Sequence, residues 1–486
     1  MSILSHLNPA SMWMYFEEIC NIPRLSKNEG KIRKYLLDFA IKNNLESKED
    51  ETGNILIIKP ASEGMENRKP IVLQSHMDMV GEKNANSNHN WSTDRIIPVI
   101  DKEWVKATET TLGADDGIGV AAQLAILTDT SLRAGKIECL FTVDEESGMT
   151  GAINLKPGFF SARTLINLDS EDEGILFIGC AGGMDTIGTI HYKAVTAGAN
   201  TSALEIYVGG LHGGHSGDEI HKGYGNSIKI MTRILRDISE KYEISVSDFD
   251  GGNLRNAIPR EANSVIVFNK ADGEEIKETI LDLKTAIRKE YINIEPDLTV
   301  SVKDVKSDSV IMDRNSQKKF LEALHCCPHG ALAFTKDMDD LVETSTNLAS
   351  VKFSGNNTIK VITTQRSSIE PAKHNAASMV ESCLKLADSE VVHSEGYPGW
   401  KPDLTSEILK LTRKSYVKLF GKEPMIRAIH AGLECGLIYE KFKGIDMISF
   451  GPTIRGAHTT EEKIEISTAQ MFWNLLKDVV SNMPVR

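Results

Sequence analysis

The segment IVLQSHMD, residues 71–78, passes directly from an apolar run into a histidine and an aspartate. Its first residues have the apolar, β-branched composition of a short buried strand, and the polar residues begin where such a strand would end. Acidic residues recur in GADDG (113–117) and follow strand-like runs in TVDEE (142–146) and NLDSE (167–171). Because the carboxyl ends of parallel strands form the crevice of an open α/β sheet, we expect these side chains to converge there.

Strands and helices alternate through the first third of the chain. Apolar residues at helical spacing predict helices over 30–44 and 116–127. Short apolar runs predict strands at 54–58, 137–143 and 164–168. The small residues of the second helix indicate close packing against a neighbouring element. The alternation predicts an α/β fold whose sheet is mainly parallel, with helices on both faces.

The middle of the chain has a different pattern. From 203–208 onward, strand-like segments are interspersed with helices, as expected for an α+β domain. The first pattern resumes near residue 401, and a histidine at position 458 must return to the first domain if it is to join the other candidate ligands. The sequence therefore predicts one domain formed by 1–186 and 401–486, interrupted by an inserted α+β domain of 187–400.

Composition excludes several classes of function. The 486 residues are enough for two domains. The net charge of −13 disfavours nucleic acid and anionic membranes as partners. The seven cysteines lack the paired spacing of a disulfide framework. No secretory signal pattern and no apolar run of membrane-spanning length is visible, so a cytoplasmic location is expected.

The four motifs of the first domain, together with the downstream histidine, supply a ligand set for two divalent cations. Its members are His76, Asp115, the pair Glu145 and Glu146, Asp169 and His458. Zinc accepts imidazole and carboxylate ligands together, and dinuclear hydrolytic sites need a carboxylate that bridges the two ions. Alone, an aspartate at a strand end more often caps a helix, and adjacent glutamates more often face solvent. The joint occurrence of four such motifs in one α/β domain favours the dinuclear interpretation.

The residue types also suggest roles within such a site. Asp78 can stand behind His76 and orient its ring. The two carboxylate oxygens of Asp115 can bridge two cations. One member of the pair Glu145 and Glu146 can bind metal while the other faces the reacting water as a general base.

Four segments outside these motifs carry weaker signals. GGLHGGHSG (209–217) surrounds two histidines with glycines that let a ligand approach the backbone, although a plain hairpin turn is equally compatible. The polar turn at 253–259 is a weak signal. Arg366 offers a guanidinium suited to a carboxylate, although alone it favours a surface position. Glu434 can place a carboxylate in the cleft or serve a structural turn.

Seven motifs together resemble the dinuclear-zinc exopeptidase family, which also contains aminoacylases, succinyl-diaminopimelate desuccinylases and carboxypeptidases. They are SHMDMV (75–80), LGADDGIG (112–119), FTVDEESGMTGA (141–152), NLDSE (167–171), GLHGGHSG (210–217), AGLECG (431–436) and GPTIRGAHT (451–459). The amino-acid sequences of these motifs are most similar to those of the bacterial aminoacyl-histidine dipeptidases, also called Xaa-His or cytosol non-specific dipeptidases. The resemblance extends over essentially the whole chain.

The resemblance implies two zinc ions that share Asp115 as a bridging ligand. The implied ligands are His76, Asp115 and Asp169 for one ion and Asp115, Glu146 and His458 for the other. The resemblance also implies that Asp78 orients His76 and that Glu145 is the general base. The peptide bond between Asp115 and Asp116 is expected to be cis.

For the inserted domain, the resemblance implies a lid of the type that also mediates dimerisation. His215 is expected to stabilise the oxyanion of the tetrahedral intermediate. Asn256 and Arg366 are expected to hold the substrate backbone and its C-terminal carboxylate. Glu434 completes the predicted substrate-binding set.

The implied activity is metal-dependent hydrolysis of dipeptides by a zinc-bridged hydroxide. The expected substrates are Xaa-His dipeptides, β-alanyl-histidine among them, and other unsubstituted dipeptides. Two Zn²⁺ ions are the implied cofactors, for which Co²⁺ or Mn²⁺ can substitute. The expected partners are small dipeptides, with no nucleic acid or membrane, and the protein is expected to form a homodimer.

Three alternatives stay open at this point. An N-acyl amino acid deacylase of the same family shares the metals but does not require a free α-amine. A non-catalytic metal- or peptide-binding protein is expected to lack Glu145 or a metal ligand, and all of these residues are present. A tricorn-like or aminopeptidase relative is disfavoured by the inserted domain.

Overall fold

The structure is a computed structural model that describes residues 3–306, 310–336, 338 and 341–486. The chain divides into two compact units. Unit 1 consists of Met1–Cys180, Trp400–Ala428 and Leu433–Arg486, and unit 2 consists of Ala181–Gly399 and Ile429–Gly432. The domain limits expected from the sequence, 1–186 with 401–486 and 187–400, stay a prediction.

Helices occur in both units. In chain order, the α-helices of the described residues are α1 (Ala10–Cys20), α2 (Gly30–Lys42), α3 (Ala114–Thr128), α4 (Glu145–Gly148), α5 (Thr150–Asn154), α6 (Ser227–Ser239), α7 (Gly273–Tyr291), α8 (Arg314–Cys326), α9 (Glu370–Lys385), α10 (Glu407–Phe420), α11 (Glu434–Lys441) and α12 (Ile466–Ser481). Short 3₁₀ helices span Ile220–Lys222 and Lys270–Asp272.

Strands also occur in both units. In chain order, those of the described residues are β1 (Glu46–Glu49), β2 (Ile55–Lys59), β3 (Ile71–His76), β4 (Pro98–Asp101), β5 (Trp104–Ala107), β6 (Ile137–Thr142), β7 (Thr164–Asn167), β8 (Ile175–Cys180), β9 (Gly182–His191), β10 (Ala194–Thr196), β11 (Thr201–Gly209), β12 (Ile244–Gly251), β13 (Ala262–Asn269), β14 (Thr299–Val305), β15 (Val310–Met312), β16 (Gly330–Phe334), β17 (Val342–Ser354), β18 (Thr358–Ser367), β19 (Glu390–His393), β20 (Met425–Ile429), β21 (Asp446–Ser449), β22 (Ile454–Arg455) and β23 (Lys463–Glu465).

The main sheet of unit 1 has the strand order β1-β2-β6-β3-β7-β21-β8-β20. The central strands β6, β3, β7 and β21 pair in parallel. Toward the margins, β1, β2 and β8 pair with their neighbours antiparallel. The predicted α/β fold class is confirmed, and the parallel pairing lies in the centre of the sheet, where the first candidate ligands follow the strands.

Strand β3 and helix α3 have the burial that their sequences predict. Every position of β3 is buried, the polar Gln74 and His76 included, as expected for a central strand. Helix α3 packs against β3 and α1. A Cβ atom at Gly117 would lie 2.5 Å from Nη2 of Arg24 and 3.3 Å from Cε2 of Phe16 in α1, so glycine at this position leaves room for both side chains.

Two local features of unit 1 position further candidate residues. The backbone of Asp115 and Asp116 is non-helical at the start of α3, and the peptide bond between them is cis, as predicted. Strands β22 and β23 pair antiparallel, so the segment 456–462 is the loop of a β-hairpin. His458 lies in this loop with a left-handed backbone, at φ 63°.

Unit 2 is built on a nine-stranded sheet. Its order is β14-β11-β13-β12-β17-β18-β9-β19, with β16 paired to β17, and these strands pair antiparallel. Helices α6, α8 and α9 pack against this sheet. Their contact forms a core of fully buried side chains that includes Ile206, Ile234, Phe249, Phe320 and Val351. Unit 2 therefore has the predicted α+β character.

All seven cysteines are described and are free thiols. They are Cys20, Cys139, Cys180, Cys327 and Cys435, which are buried, Cys383, which is partly buried, and Cys326, which is exposed. Within the described ranges, no helix has both the length and the apolar character needed to cross a bilayer.

Candidate metal centre

Five of the predicted ligands converge in unit 1. Their side-chain donor atoms form two groups, within each of which the atoms lie within 4.8 Å of one another. The groups are His76 with Asp115 and Asp169, and Asp115 with Glu146 and His458. Asp115 belongs to both, as expected of a bridging carboxylate. The structure thus brings all five predicted metal-ligating side chains together.

The first group is formed at the ends of two central strands. His76 is the last residue of β3, and Asp169 follows β7 by two residues. Nε2 of His76 lies 3.0 Å from Oδ1 of Asp115 and 3.4 Å from Oδ1 of Asp169. One imidazole nitrogen therefore faces two carboxylates.

The second group joins α4 to the β-hairpin loop. Nε2 of His458 lies 3.2 Å from Oδ2 of Asp115 and 2.9 Å from Oε2 of Glu146. Asp115 thus directs one oxygen to each histidine, Oδ1 to His76 and Oδ2 to His458. This division between its two oxygens is the geometry that a bridging ligand needs.

The electrostatics of the cluster favour a bound cation. Burial raises the pKa of Asp169 to about 7, with the neighbouring Asp115 as a further cause. Burial, followed by the charges of Asp115 and Asp169, raises the pKa of Glu171 to about 8. The hydrogen bonds to Asp115 and Glu146 raise the pKa of His458 to about 11. Carboxylates that oppose one another's ionisation in this way are stabilised by a divalent cation.

The donor set also fits the chemistry of particular metals. Two imidazoles and three carboxylates are ligands that Zn²⁺ accepts, and the shared aspartate matches a dinuclear site. The residues present therefore fit a pair of divalent cations.

Asp78 lies directly behind His76. Its Oδ1 is 3.4 Å from Nδ1 of His76, on the ring edge opposite to the ligand nitrogen. The same carboxylate accepts hydrogen bonds from the backbone N–H groups of Glu145 (3.1 Å) and Glu146 (3.3 Å) and from the hydroxyl of Ser26 (2.8 Å). Asp78 thereby connects the end of β3 to the start of α4.

Replacing Asp78 with asparagine is expected to weaken metal binding by about 10- to 100-fold, the usual cost of losing a partner behind a ligand. The amide nitrogen of asparagine cannot accept the backbone hydrogen bond that one carboxylate oxygen of Asp78 now accepts. The ring of His76 would also lose its anionic neighbour. Competition titration with a chromophoric chelator measures the effect. The exposed Asp101→Asn serves as the matched control, and equal affinities in the two variants would contradict the role of Asp78.

Glu145 and Glu146 diverge at the start of α4. Glu146 faces His458, whereas no metal-ligand group of the described residues contains Glu145. Burial raises the pKa of Glu145 well above its ordinary value, and the charges of Asp169, Glu434 and Glu146 act in the same direction. A carboxylate that takes up a proton readily beside the ligands has the property of a general base.

Glu434 is fully buried in unit 1. Its Oε2 accepts hydrogen bonds from Nε2 of Gln74 (2.6 Å) and from the hydroxyl of Thr142 (2.7 Å), whereas its Oε1 has no hydrogen-bond partner among the described residues. Burial raises its pKa to about 7. The structure places Glu434 at the ends of β3 and β6, and its predicted contact with substrate stays a prediction.

His215 and Asn256 lie close together within unit 2. The N–H of Ser216 donates to the carbonyl of Asn256 at 2.8 Å, and His215 pairs with Ala257 as an isolated β-bridge. His215 and Asn256 both line one cleft with a volume of about 570 Å³. The glycine-rich segment is therefore paired with the polar turn.

Arg366 is buried in unit 2, near the end of β18. Its Nη1 donates to the hydroxyl of Tyr397 at 2.9 Å, and its buried Nε has no hydrogen-bond partner in the part of the chain that the structure describes. Beside it, Oγ of Ser345 and Nε2 of His430 share a hydrogen bond of 2.7 Å. Burial, followed by the charge of Arg366, lowers the pKa of His430 to about 3, which keeps its ring neutral. Arg366 is thus an incompletely paired cation rather than a surface residue.

Two buried residues near the ligands were not predicted from the sequence. Arg24 and Glu462 hydrogen-bond to the backbone of the segments that carry His76 and Asp115. Glu462 lies four residues after His458, which is the one sequence signal that could have drawn attention to it. Arg24 lies in a segment without periodicity or motif, so nothing in the sequence marks it.

Comparison with known proteins identifies the family. Residues 72–482 match the peptidase family M20/M25/M40. The chain is 41% identical over 488 residues to the cytosol non-specific dipeptidase of Escherichia coli (strain K12), with 100% of both chains covered. The crystal structure of aminoacylhistidine dipeptidase from Vibrio alginolyticus matches with a TM-score of 0.93 and 39% identity, covering 99% of this chain and 98% of that one.

A more distant structure shares the fold. Aminopeptidase PepT from Bacillus cereus matches with a TM-score of 0.59 and 17% identity over 98% of each chain. The family resemblance expected from the sequence motifs is confirmed, as is the expectation of a metal-dependent peptidase. This chain therefore belongs to the peptidase family M20/M25/M40.

Proposed function

We propose that this protein is a dipeptidase that hydrolyses unsubstituted dipeptides, with Xaa-His dipeptides such as β-alanyl-histidine among its substrates. The observation that carries the proposal is the convergence of five ligand side chains into two groups that share Asp115. Full-length similarity to a cytosol non-specific dipeptidase and to an aminoacylhistidine dipeptidase supports the choice of substrate class.

The proposed cofactors are two Zn²⁺ ions, for which Co²⁺ or Mn²⁺ can substitute. His76, Asp115 and Asp169 would hold one ion, and Asp115, Glu146 and His458 the other. Bound divalent cations polarise a scissile carbonyl and lower the pKa of water. The mixed imidazole and carboxylate donors support zinc over magnesium or calcium, which prefer oxygen ligands.

Glu145 is proposed to move the proton during hydrolysis. Its carboxylate takes the proton of the attacking water and then delivers it to the leaving amine. The raised pKa of Glu145 makes its carboxylate a stronger proton acceptor than an exposed glutamate, which suits the removal of a proton from water. The hydrogen bond from its backbone N–H to Asp78 holds the residue at the start of α4.

Four further residues are proposed to bind the substrate. Arg366 suits the C-terminal carboxylate, because its guanidinium is always charged and its Nε has no hydrogen-bond partner among the residues that the structure describes. His215 is assigned to the oxyanion and Asn256 to the substrate backbone. Glu434 is assigned to the substrate-binding set because one oxygen of its buried carboxylate has no hydrogen-bond partner within the described ranges.

The proposed setting is the cytoplasm. The similarity to a relative described as a cytosol dipeptidase supports this location, and small dipeptides are the proposed partners. A homodimer formed through the inserted lid domain is proposed as the oligomeric state.

A small substrate panel tests the proposal. Gly-His, β-alanyl-histidine and Leu-Gly are expected to be hydrolysed, whereas N-acetyl-histidine is not, because a dipeptidase acts on a substrate with a free amine. A chelator is expected to abolish turnover, and added Zn²⁺, Co²⁺ or Mn²⁺ to restore it. Preferred cleavage of N-acetyl-histidine would instead support an N-acyl amino acid deacylase, and activity that survives complete metal removal would refute the proposed cofactors.

A further inference from the structure

Glu462 holds the bridging segment through its backbone. Its carboxylate accepts hydrogen bonds from four successive N–H groups, those of Leu112 (2.8 Å), Gly113 (2.9 Å), Ala114 (2.7 Å) and Asp115 (3.3 Å). The side chain is 2% exposed, so these bonds form away from solvent. These four N–H groups precede the regular part of α3, because the backbone is non-helical at Asp115 and Asp116, so the carboxylate supplies the acceptor that the buried groups need.

The hydrogen bonds of Glu462 also connect two segments that carry metal ligands. Glu462 and His458 belong to the same hairpin loop between β22 and β23. The carboxylate of Glu462 therefore ties the loop that carries one ligand to the segment that carries Asp115. Both of these ligands belong to the group that Glu146 completes.

Arg24 acts on the same segment from another direction. Its Nη1 donates to the carbonyls of Met77 (3.1 Å) and Asp78 (2.6 Å), and its Nη2 donates to the carbonyl of Gly113 (2.5 Å). The guanidinium is 2% exposed. Arg24 therefore joins the chain just after His76 to the chain just before Asp115.

Gly113 is the residue on which both side chains meet. Its carbonyl accepts from Arg24 while its N–H donates to Glu462. Its φ of 69° is in the left-handed region, and a Cβ atom there would lie 2.6 Å from Nη2 of Arg24 and 2.7 Å from Sδ of Met79. The segment has no room to shift between the two charged groups without losing hydrogen bonds.

We infer that Glu462 and Arg24 are positioning residues that set the separation of the two metal-ligand groups by fixing Asp115 relative to His458 and His76. The inference rests on the proposed metal centre. Neither side chain belongs to a metal-ligand group of the described residues, so both act through the backbone of the ligands. Glu462 governs mainly the group with Glu146 and His458, whereas Arg24 governs mainly the group with His76.

The test measures metal binding directly in the full-length protein. Metal-free wild type and Glu462→Gln are titrated with Co²⁺, and bound ions are counted from the visible absorbance and by elemental analysis. A glutamine can accept with one atom only and would turn an amide against the remaining N–H donors. We expect one ion to bind Glu462→Gln about 10- to 100-fold more weakly than it binds wild type, with a smaller change for the other. Activity of the variant is expected to recover as the metal concentration is raised.

Matched variants separate positioning from general loss of structure. Glu461→Gln makes the same change at the exposed neighbouring residue and is expected to bind both ions as wild type does. Glu462→Asp keeps the charge with a shorter reach and is expected to bind with intermediate affinity, which also provides a measurement if Glu462→Gln does not fold. Arg24→Lys, compared with the same change at the exposed Arg95, is expected to weaken binding of the ion held by His76, because an ammonium cannot span the carbonyls that the guanidinium joins.

The outcomes are distinct. Metal affinities in Glu462→Gln and Arg24→Lys equal to those of their controls would overturn the inference, even if the melting temperature of the metal-free protein fell. Absence of metal binding in wild type and in Glu461→Gln would overturn the proposed metal centre itself. Weakened binding confined to the Glu462 and Arg24 variants would support positioning.

Discussion

Replacing Glu145 with glutamine is expected to lower kcat for dipeptide hydrolysis by about 10²- to 10⁴-fold, the usual contribution of a general base. The amide cannot accept the proton of the attacking water or return it to the leaving amine. Both metal ions are expected to stay bound, because Glu145 belongs to no metal-ligand group of the described residues. Steady-state kinetics with β-alanyl-histidine, together with elemental analysis of the same sample, measures both quantities.

Two comparisons make the Glu145 result specific. Glu63→Gln, at an exposed position of unit 1, is expected to leave kcat unchanged. Glu146→Gln is expected to lower metal content as well as kcat, because Glu146 contacts His458. A Glu145→Gln protein that turns over substrate at the wild-type rate would refute the assignment of the general base.

Replacing Asp115 with asparagine is expected to remove both metal ions at once. Its two oxygens face different histidines, so a neutral amide loses one oxygen ligand and the negative charge that both ions share. The loss of affinity is expected to exceed the roughly 10- to 100-fold effect of removing a partner behind a ligand. Turnover is expected to disappear at ordinary metal concentrations, and elemental analysis should find less than one ion per chain.

Asp101→Asn provides the comparison for Asp115. Asp101 is an exposed carboxylate at the end of β4 that pairs with Lys106, and its replacement is expected to leave metal content unaltered. Retention of two ions by Asp115→Asn would show that this residue does not bridge. Loss of a single ion would assign Asp115 to one group only.

The candidate ligands could be recognised from the sequence because they follow the strongest local patterns. His76 is the last residue of one short strand and Asp169 lies two residues after another, and the chain direction of parallel strands sends such residues to one edge of the sheet. His458 is different, because it lies in a hairpin loop of a separate four-stranded sheet. Its assignment to one particular ion depended on the family resemblance, since no periodicity marks a loop histidine.

Strand direction at the margins of the main sheet could not be read in the same way. Strand β2 is an apolar run with the same character as β3, yet it pairs antiparallel with β6. Periodicity reports burial and not direction, so both strands favoured the parallel interpretation. The length of the connecting segments would have been a further guide, but it does not determine pairing.

Residues whose side chains hydrogen-bond to the backbone were the hardest to predict from the sequence. Glu462 and Arg24 bind N–H and carbonyl groups, which every residue supplies, so their partners have no characteristic side chain. The pairing of His215 with Ala257 is likewise a tertiary contact between distant segments. Local patterns predict elements and ligand types, whereas such contacts depend on how loops meet.

The distribution of the free cysteines has a consequence for following partial unfolding. Cys326 is exposed in unit 2 and can react with a thiol reagent in the native protein, whereas Cys20 and Cys139 in unit 1 are buried. Burial also raises the pKa of Cys20 to about 12, so its reactive thiolate is scarce at neutral pH. Modification of the buried thiols therefore requires local opening, and its rate measures the free energy of that opening. Modification of the buried Cys327 reports on unit 2 in the same way. The modification rates of native thiols can therefore be used to follow the local opening of each unit without an introduced label.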